Sequence, residues 1–278
     1  MKFFKFLLYD LRQGFRYNRI KYAAAAAASA CTLIWFGLSL NMGYRYGFIQ
    51  DIPSFTDVAV YLLRGTPPYD PGYGQYILPV IWLLLQTLLF FITAYYPRQD
   101  IYQFGQQIFL RAYKKTSWWY SKCIWCAASV AVFYLMIFGV AAVGCLCLRG
   151  TFAPVFSEEL ASYCYGGVFS DVTFGQLWVL LAGLPFAVSL GMCLFQMMLS
   201  FFVEPVVSYL VVIGIMAAST YMTEPWMIGN YSMVLRSAWI RPDGVDTGAG
   251  FCLAAAIGIF SIMIGAWRMR KYDILAKG

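Results

Sequence analysis

The chain of 278 residues contains no histidine, and only 12% of its residues are charged. Without histidine the commonest metal ligand and the commonest general base are both missing. Its serines and aspartates therefore cannot be assembled into a Ser-His-Asp triad. The sequence also lacks a G-x-x-x-x-G-K-[ST] phosphate loop, so the chain does not hold a nucleotide in the P-loop manner. A soluble domain carries about 25% charged and about 45–50% apolar residues. Here 61% are hydrophobic and the mean hydropathy is +0.66. So little polar surface excludes an ordinary cytosolic enzyme, a nucleic-acid-binding module and a disordered regulator.

What the sequence has instead is long apolar runs. Six stretches free of Asp, Glu, Lys and Arg lie at about 22–42, 76–96, 123–148, 177–203, 206–221 and 251–267. A helix of roughly 20 apolar residues crosses a hydrocarbon core about 30 Å thick. These runs are apolar all round rather than alternating, which argues against transmembrane strands. The expected fold is an all-α integral membrane protein with six transmembrane helices, the fifth being short. Ala28-Ser29-Ala30-Cys31 resembles a lipoprotein cleavage site after a basic start, but the apolar run continues to Leu40. It therefore reads as part of an uncleaved first span. Fifteen of the 20 Lys and Arg residues fall in residues 1–21, 97–122 and the C-terminal tail. By the positive-inside bias both termini are expected in the cytoplasm.

Residues 1–21 read as an amphipathic interfacial helix, separate from the six-span domain at 22–278. Phe3, Phe4, Leu7, Leu8, Leu11 and Phe15 recur at three- and four-residue spacing among Lys2, Lys5, Arg12, Arg16 and Arg19. Rings in the acyl boundary and cations near anionic lipid suit such a helix, and a charged topology signal has the same pattern. On the expected outer side, Phe55–Leu63 is apolar enough to lie flat on the surface. The 222–250 segment begins with a stretch, Glu224 to Asn230, that suits a dip toward the bilayer. Tyr44, Tyr46, Phe48, Tyr69 and Tyr73 suit either an amphipathic molecule or lipid headgroups.

The 97–122 loop is the candidate interaction site. Pro97 is expected to end the second span and Asp100 to cap a short helix running to about Leu110. That helix would offer Tyr102, Phe104 and Gln106 to a cytoplasmic partner. Trp118, Trp119 and Tyr120 mark an interface where the third span enters.

Signals of chemistry are sparse. No ionisable residue lies inside the six runs, where proton relays and ion pathways usually show themselves. Glu204 falls in the turn between the fourth and fifth spans and reads either as solvated or as a proton- or substrate-linked carboxylate. Of eight cysteines, Cys123 and Cys126 form one C-x-x-C pair, while Cys145, Cys147 and Cys164 lie toward the outer side. With no second pair and no histidine, buried small residues are the expected role and no metal site is expected. Ala254, Gly258, Ser261 and Gly265 share one face of the sixth span, for packing within the bundle or across a dimer. Pro185 should kink the fourth. No internal repeat is evident.

The order of these elements resembles the permease subunits of bacterial ATP-binding cassette transporters of the type-2 exporter class, over nearly the whole chain. Gln106-Gln107-Ile108-Phe109-Leu110-Arg111 and Trp118-Trp119-Tyr120-Ser121-Lys122 resemble the coupling helix and entry motif of that group. Gly229-Asn230-Tyr231-Ser232-Met233 and Arg270-Lys271-Tyr272-Asp273-Ile274-Leu275 are similar to it as well. The resemblance implies a half-transporter in a bacterial cytoplasmic membrane. A second permease chain, identical or related, would pair with it, and two separate ATPase subunits would bind ATP and Mg. Tyr102, Phe104, Gly105, Gln106, Gln107, Leu110 and Arg111 would dock the ATPase. The chain itself would carry no catalytic residue and no cofactor, and would contact membrane lipid but no nucleic acid. The substrate implied is hydrophobic or amphipathic, such as a peptide antibiotic, a lipid or a drug. An ATP-independent transporter, or a non-transporting immunity or sensor subunit, is the alternative reading of the same residues.

Overall fold

A computed structural model of the chain describes residues 2–69, 76–100, 115–153, 157–165 and 172–271. Among these residues every regular element is helical. Helix α1 (Lys2–Arg45) is 44 residues long, roughly 66 Å at about 1.5 Å per residue. The expected division between an interfacial helix and a first span corresponds to no break, because neither proline nor glycine interrupts Asn18 through Phe36 and seven alanines favour the helix there. Its buried side is small or polar at first, with Asp10, Gly14 and Asn18, and then apolar through Ala25, Leu33, Phe36 and Leu40. Phe4 and Leu8 face outward instead. At Gly14 a Cβ would come within 2.0 Å of Trp125 Nε1, so glycine is what allows α1 to approach so closely.

Helix α2 (Phe55–Leu63) opens with a capping box in which Ser54 Oγ accepts from Asp57 N and Asp57 Oδ2 accepts from Ser54 N. All its residues from Thr56 to Leu63 are buried. The expectation that it lies flat on the surface is therefore corrected. It is apolar on every side after Asp57, and it packs against α1 and against the helices at Val80–Ala94 and Lys115–Cys147. Burial raises the Asp57 carboxyl above its ordinary range, opposed by its hydrogen bonds from Ser54.

Helix α3 (Val80–Ala94) starts later than the apolar run does. Pro79 holds Leu78 extended, so residues 76–79 form no helical turn. Nor does Pro97 end this helix. The chain bends at Tyr95, and Pro97 sits in the first turn of α4 (Tyr96–Asp100), where its missing N–H is not needed. After α5 (Lys115–Cys147) and α6 (Glu158–Tyr165) comes α7 (Phe174–Leu199), which contains a π-helical turn at Val179–Gly183. That turn directly precedes Pro185 and absorbs the backbone mismatch that proline introduces. Helix α8 (Pro205–Tyr221) follows a tight turn at whose end Glu204 is exposed. Two 3₁₀ turns, Ile228–Ser232 and Val234–Arg236, lead to α9 (Thr247–Lys271).

Four of these helices are long and apolar enough to cross a membrane, at Leu7–Arg45, Thr116–Cys147, Phe174–Leu199 and Thr247–Lys271. The apolar helices α3 and α8 have 15 and 17 residues, which at about 1.5 Å per residue is short of a 30 Å core. Helix α9 packs most closely on α7, where a Cβ at Gly191 would lie 2.9 Å from Ala254 O. Gly265 likewise makes room for the Trp119 ring. The small-residue face thus serves packing within the bundle. In the middle of the bundle the Tyr134 hydroxyl donates to Pro185 O at 3.1 Å and lies 2.8 Å from Ser189 Oγ, which donates to Gln86 Oε1 at 3.3 Å. The proximal end of the bundle holds the start of α1, α4, the start of α5 and the end of α9. The distal end holds α2, α6 and the 3₁₀ turns.

The 222–237 segment folds back onto α7 and α8. Asn230, Ser232 and Arg236 are buried, and Gly229 N donates to Ser219 Oγ at 3.2 Å. Of the stretch expected to dip toward the bilayer, Glu224, Pro225 and Trp226 are exposed, and only from Ile228 onward is the irregular backbone covered by protein.

Candidate functional site

The residues expected to form the docking helix, Tyr102, Phe104, Gly105, Gln106, Gln107, Leu110 and Arg111, lie outside the described residues. Both flanks of that segment are described, and they meet. Lys122, near the start of α5, reaches Asp100 at the end of α4: Nζ to Oδ2 is 2.8 Å. The same ammonium reaches Asp10 of α1, with Nζ to Oδ1 at 2.7 Å. All three side chains are nearly or wholly shut off from solvent. Asp100, in α4, thus faces Lys122, and the helix it was expected to cap lies outside the described residues.

The remaining valences of the cluster are met by neighbours. Ser121 Oγ donates to Asp10 Oδ2 at 2.5 Å and Trp118 Nε1 donates to Asp100 Oδ2 at 3.1 Å. The Tyr96 hydroxyl donates to the backbone carbonyl of Asp10 at 3.2 Å. Lys122 Nζ also stands 4.3 Å from the centre of the Tyr96 ring and 5.3 Å from that of Trp118, within range of a cation–π attraction. The Tyr96 ring in turn packs on Trp125, with centroids 4.5 Å apart. Burial, and then the two carboxylates, push the Tyr96 phenol well above its ordinary range, so it remains a donor. Among the described residues, Asp10 and Asp100 share this one ammonium. A buried pair of this kind adds little to stability by forming, but removing one partner strands an uncompensated charge.

Mechanically, three elements far apart in the chain are tied at one point. The contact between Asp100 and Lys122 joins the two ends of the 101–121 stretch, and Asp10 fastens that junction to α1. Trp118 and Trp119, expected as a plain interfacial belt, are buried: Trp118 in this cluster, and Trp119 against Phe201, with its Nε1 donating to Ile262 O at 2.9 Å. Tyr120 is exposed, as an interfacial ring would be. The role of Asp10 was open to sequence reasoning through one signal: it is the sole acidic residue among the first 50, and it shares a face with Gly14 and Asn18 at four-residue steps.

A second buried cation lies at the distal end. Arg236 is 1% exposed, and its guanidinium donates to Thr66 O, Ser219 O, Thr220 O, Met222 O and Asn230 Oδ1, at 2.5 to 3.2 Å. Three of those carbonyls end α8, where a cation complements the helix dipole. Burial lowers the guanidinium to about 10, which leaves it charged at neutral pH. Among the described residues no group of three or more Cys, Asp or Glu side chains is placed to hold a metal ion. The cysteines are unbridged: Cys123, Cys126, Cys145 and Cys193 are buried, and burial pushes the Cys164 thiol up to about 11.

An all-helical bundle with four helices long and apolar enough to cross a membrane is the architecture of a membrane protein. The chain belongs to the family described as a protein of unknown function (DUF2705), which matches residues 46–275. The match takes in Asp100, Lys122 and Arg236 and begins just after α1. No curated protein and no solved structure matches the chain.

Proposed function

We propose that the chain is the permease subunit of an ATP-driven exporter of a hydrophobic or amphipathic substrate. In this reading α3 and α8 join the four longer helices as six spans in a bacterial cytoplasmic membrane, with both termini inside. Two such permease chains, identical or related, pair and rest on two separate ATPase subunits. The ATPases bind ATP and Mg, and this chain contributes no catalytic group. The observation that carries the reading is the buried cluster of Asp10, Asp100 and Lys122 at the base of the 101–114 segment. A docking segment has to pass a push from its partner into the spans, and a base tied simultaneously to α1, α4 and α5 provides that. Closure of the ATPase pair on ATP would then bias the bundle between two packings.

The test is affinity capture of the chain from detergent-solubilised native membranes, with quantitative mass spectrometry. A P-loop ATPase should follow it in near-equal amount. Phe104→Glu or Gln107→Glu should release that ATPase while leaving the chain in the membrane. Recovery of the chain alone, under conditions that keep other transporter complexes whole, would overturn the proposal in favour of an ATP-independent protein.

A further inference from the structure

Arg12, Arg16 and Arg19 follow one another on α1 at four- and three-residue steps, which sets them in one stripe about 10 Å long. All three are exposed, on the side of the helix away from the buried Asp10, Gly14 and Asn18. None of the three has an ion pair among the described residues. Asp10, the sole acidic residue among the first 50, is turned inward and held by Lys122. The neighbours of α1 fix the depth of the stripe. Lys21 Nζ donates to Phe91 O at 2.9 Å, about one turn before α3 ends at Ala94, and the Tyr17 and Tyr96 ring centres are 6.1 Å apart. The arginines therefore lie at and beyond the proximal end of α3, where a headgroup layer would begin.

From the stripe onward the same exposed face of the helix is apolar. Ile20 and Ile34 are 74% and 65% exposed, and between them Ala23, Ala27 and Ala30 are exposed and leave room for an alkyl chain. Lys21, the one charged residue from Ile20 to Met42, is drawn aside onto the rings of Phe91 and Tyr95, 4.3 and 5.6 Å from their centres. Three guanidiniums that lead onto an uncharged helix face match a molecule with an anionic head and acyl chains. A nucleic acid or an acidic protein would complement the guanidiniums but not the apolar face that continues from them. We propose that this face of α1 holds an anionic phospholipid of the proximal leaflet. Its phosphate lies against Arg12, Arg16 and Arg19, and its chains run along the face from Ile20 toward Ile34. The inference needs the chain to sit in a membrane and is independent of the proposed ATPase.

The test uses the purified full chain in nanodiscs of equal parts phosphatidylglycerol and phosphatidylcholine, followed by gentle release and native mass spectrometry. Phosphatidylglycerol should be retained in preference to phosphatidylcholine. Arg12→Gln, Arg16→Gln and Arg19→Gln should each weaken that retention about fivefold, and together about a hundredfold. The double variant Arg268→Gln and Arg270→Gln removes two cations from α9 at the same end of the bundle and should leave retention unchanged. The melting temperature of each variant separates lost binding from lost structure, and the single variants serve if the triple one does not fold. Equal retention of the two lipids, or unchanged retention in the folded α1 variants, overturns the proposal. So does an equal loss in the α9 variant, because diffuse charge and not the stripe would then hold the lipid. If the α1 variants keep the lipid and instead lose a co-purifying ATPase, the stripe belongs to that partner and the proposal fails. Capture of the ATPase by Phe104 and Gln107 is read separately, so either proposal can fail without the other.

Discussion

The two ends of the bundle each bury a cation, and they treat it differently. At the proximal end Lys122 answers two carboxylates brought from α1 and α4. At the distal end Arg236 answers four backbone carbonyls and one side-chain amide oxygen, with no carboxylate among those partners. Backbone carbonyls at a helix end cannot leave, so Arg236 acts as a permanent cap that fixes the 222–237 segment to α8. Carboxylates on separate helices can part, and a buried ion pair adds little to stability by forming. The difference separates an end held by main-chain oxygens from one held by ion pairs between helices.

The comparison is broken most directly by taking away the proximal cation. Lys122→Met strands two buried carboxylates and should cost about 3–5 kcal/mol, read from thermal or denaturant unfolding in detergent. If that loss proves no larger than for a surface lysine, the cluster is not a brace. Arg236→Lys should follow at about 2–3 kcal/mol, because a single ammonium cannot reach the five acceptors that a planar guanidinium serves. An unchanged midpoint there would mean that the 222–237 segment is held by its apolar contacts alone. The mildest change is Asp10→Asn, at about 1 kcal/mol, since it leaves Lys122 paired with Asp100. Its contrast with Lys122→Met sharpens the assignment. Equal losses in the two variants would show that hydrogen-bond geometry, and not charge, holds the cluster.

Much of the fold was legible along the chain because apolar runs are a local property. The helices at Phe174–Leu199 and Pro205–Tyr221 coincide closely with runs free of charge, whereas Lys115–Cys147 begins eight residues before its run and takes in Lys122. The failures are also physical. Pro79 withholds the first turn of α3, and Tyr95 bends the chain before Pro97 is reached. The alanine run carries α1 through the boundary that a change in composition suggested. The site was harder to see because the pairing of Asp10 with Lys122 spans 112 positions. No local pattern encodes such a pair, and each residue alone reads as an ordinary charge beside a membrane. Arg236 has the same difficulty, since its partners are mostly main-chain oxygens that sequence does not distinguish. The expected docking residues from Tyr102 to Arg111 lie outside the described residues, and only the base that carries them is on view.

The measurement closest to the central claim compares ATPase retention in the two cation variants. Lys122→Met and Arg236→Lys are captured from native membranes at a temperature where both remain folded, and the co-purifying P-loop ATPase is quantified. The account predicts that Lys122→Met releases the ATPase while Arg236→Lys keeps it. Retention by Lys122→Met, or equal loss from both, would contradict it.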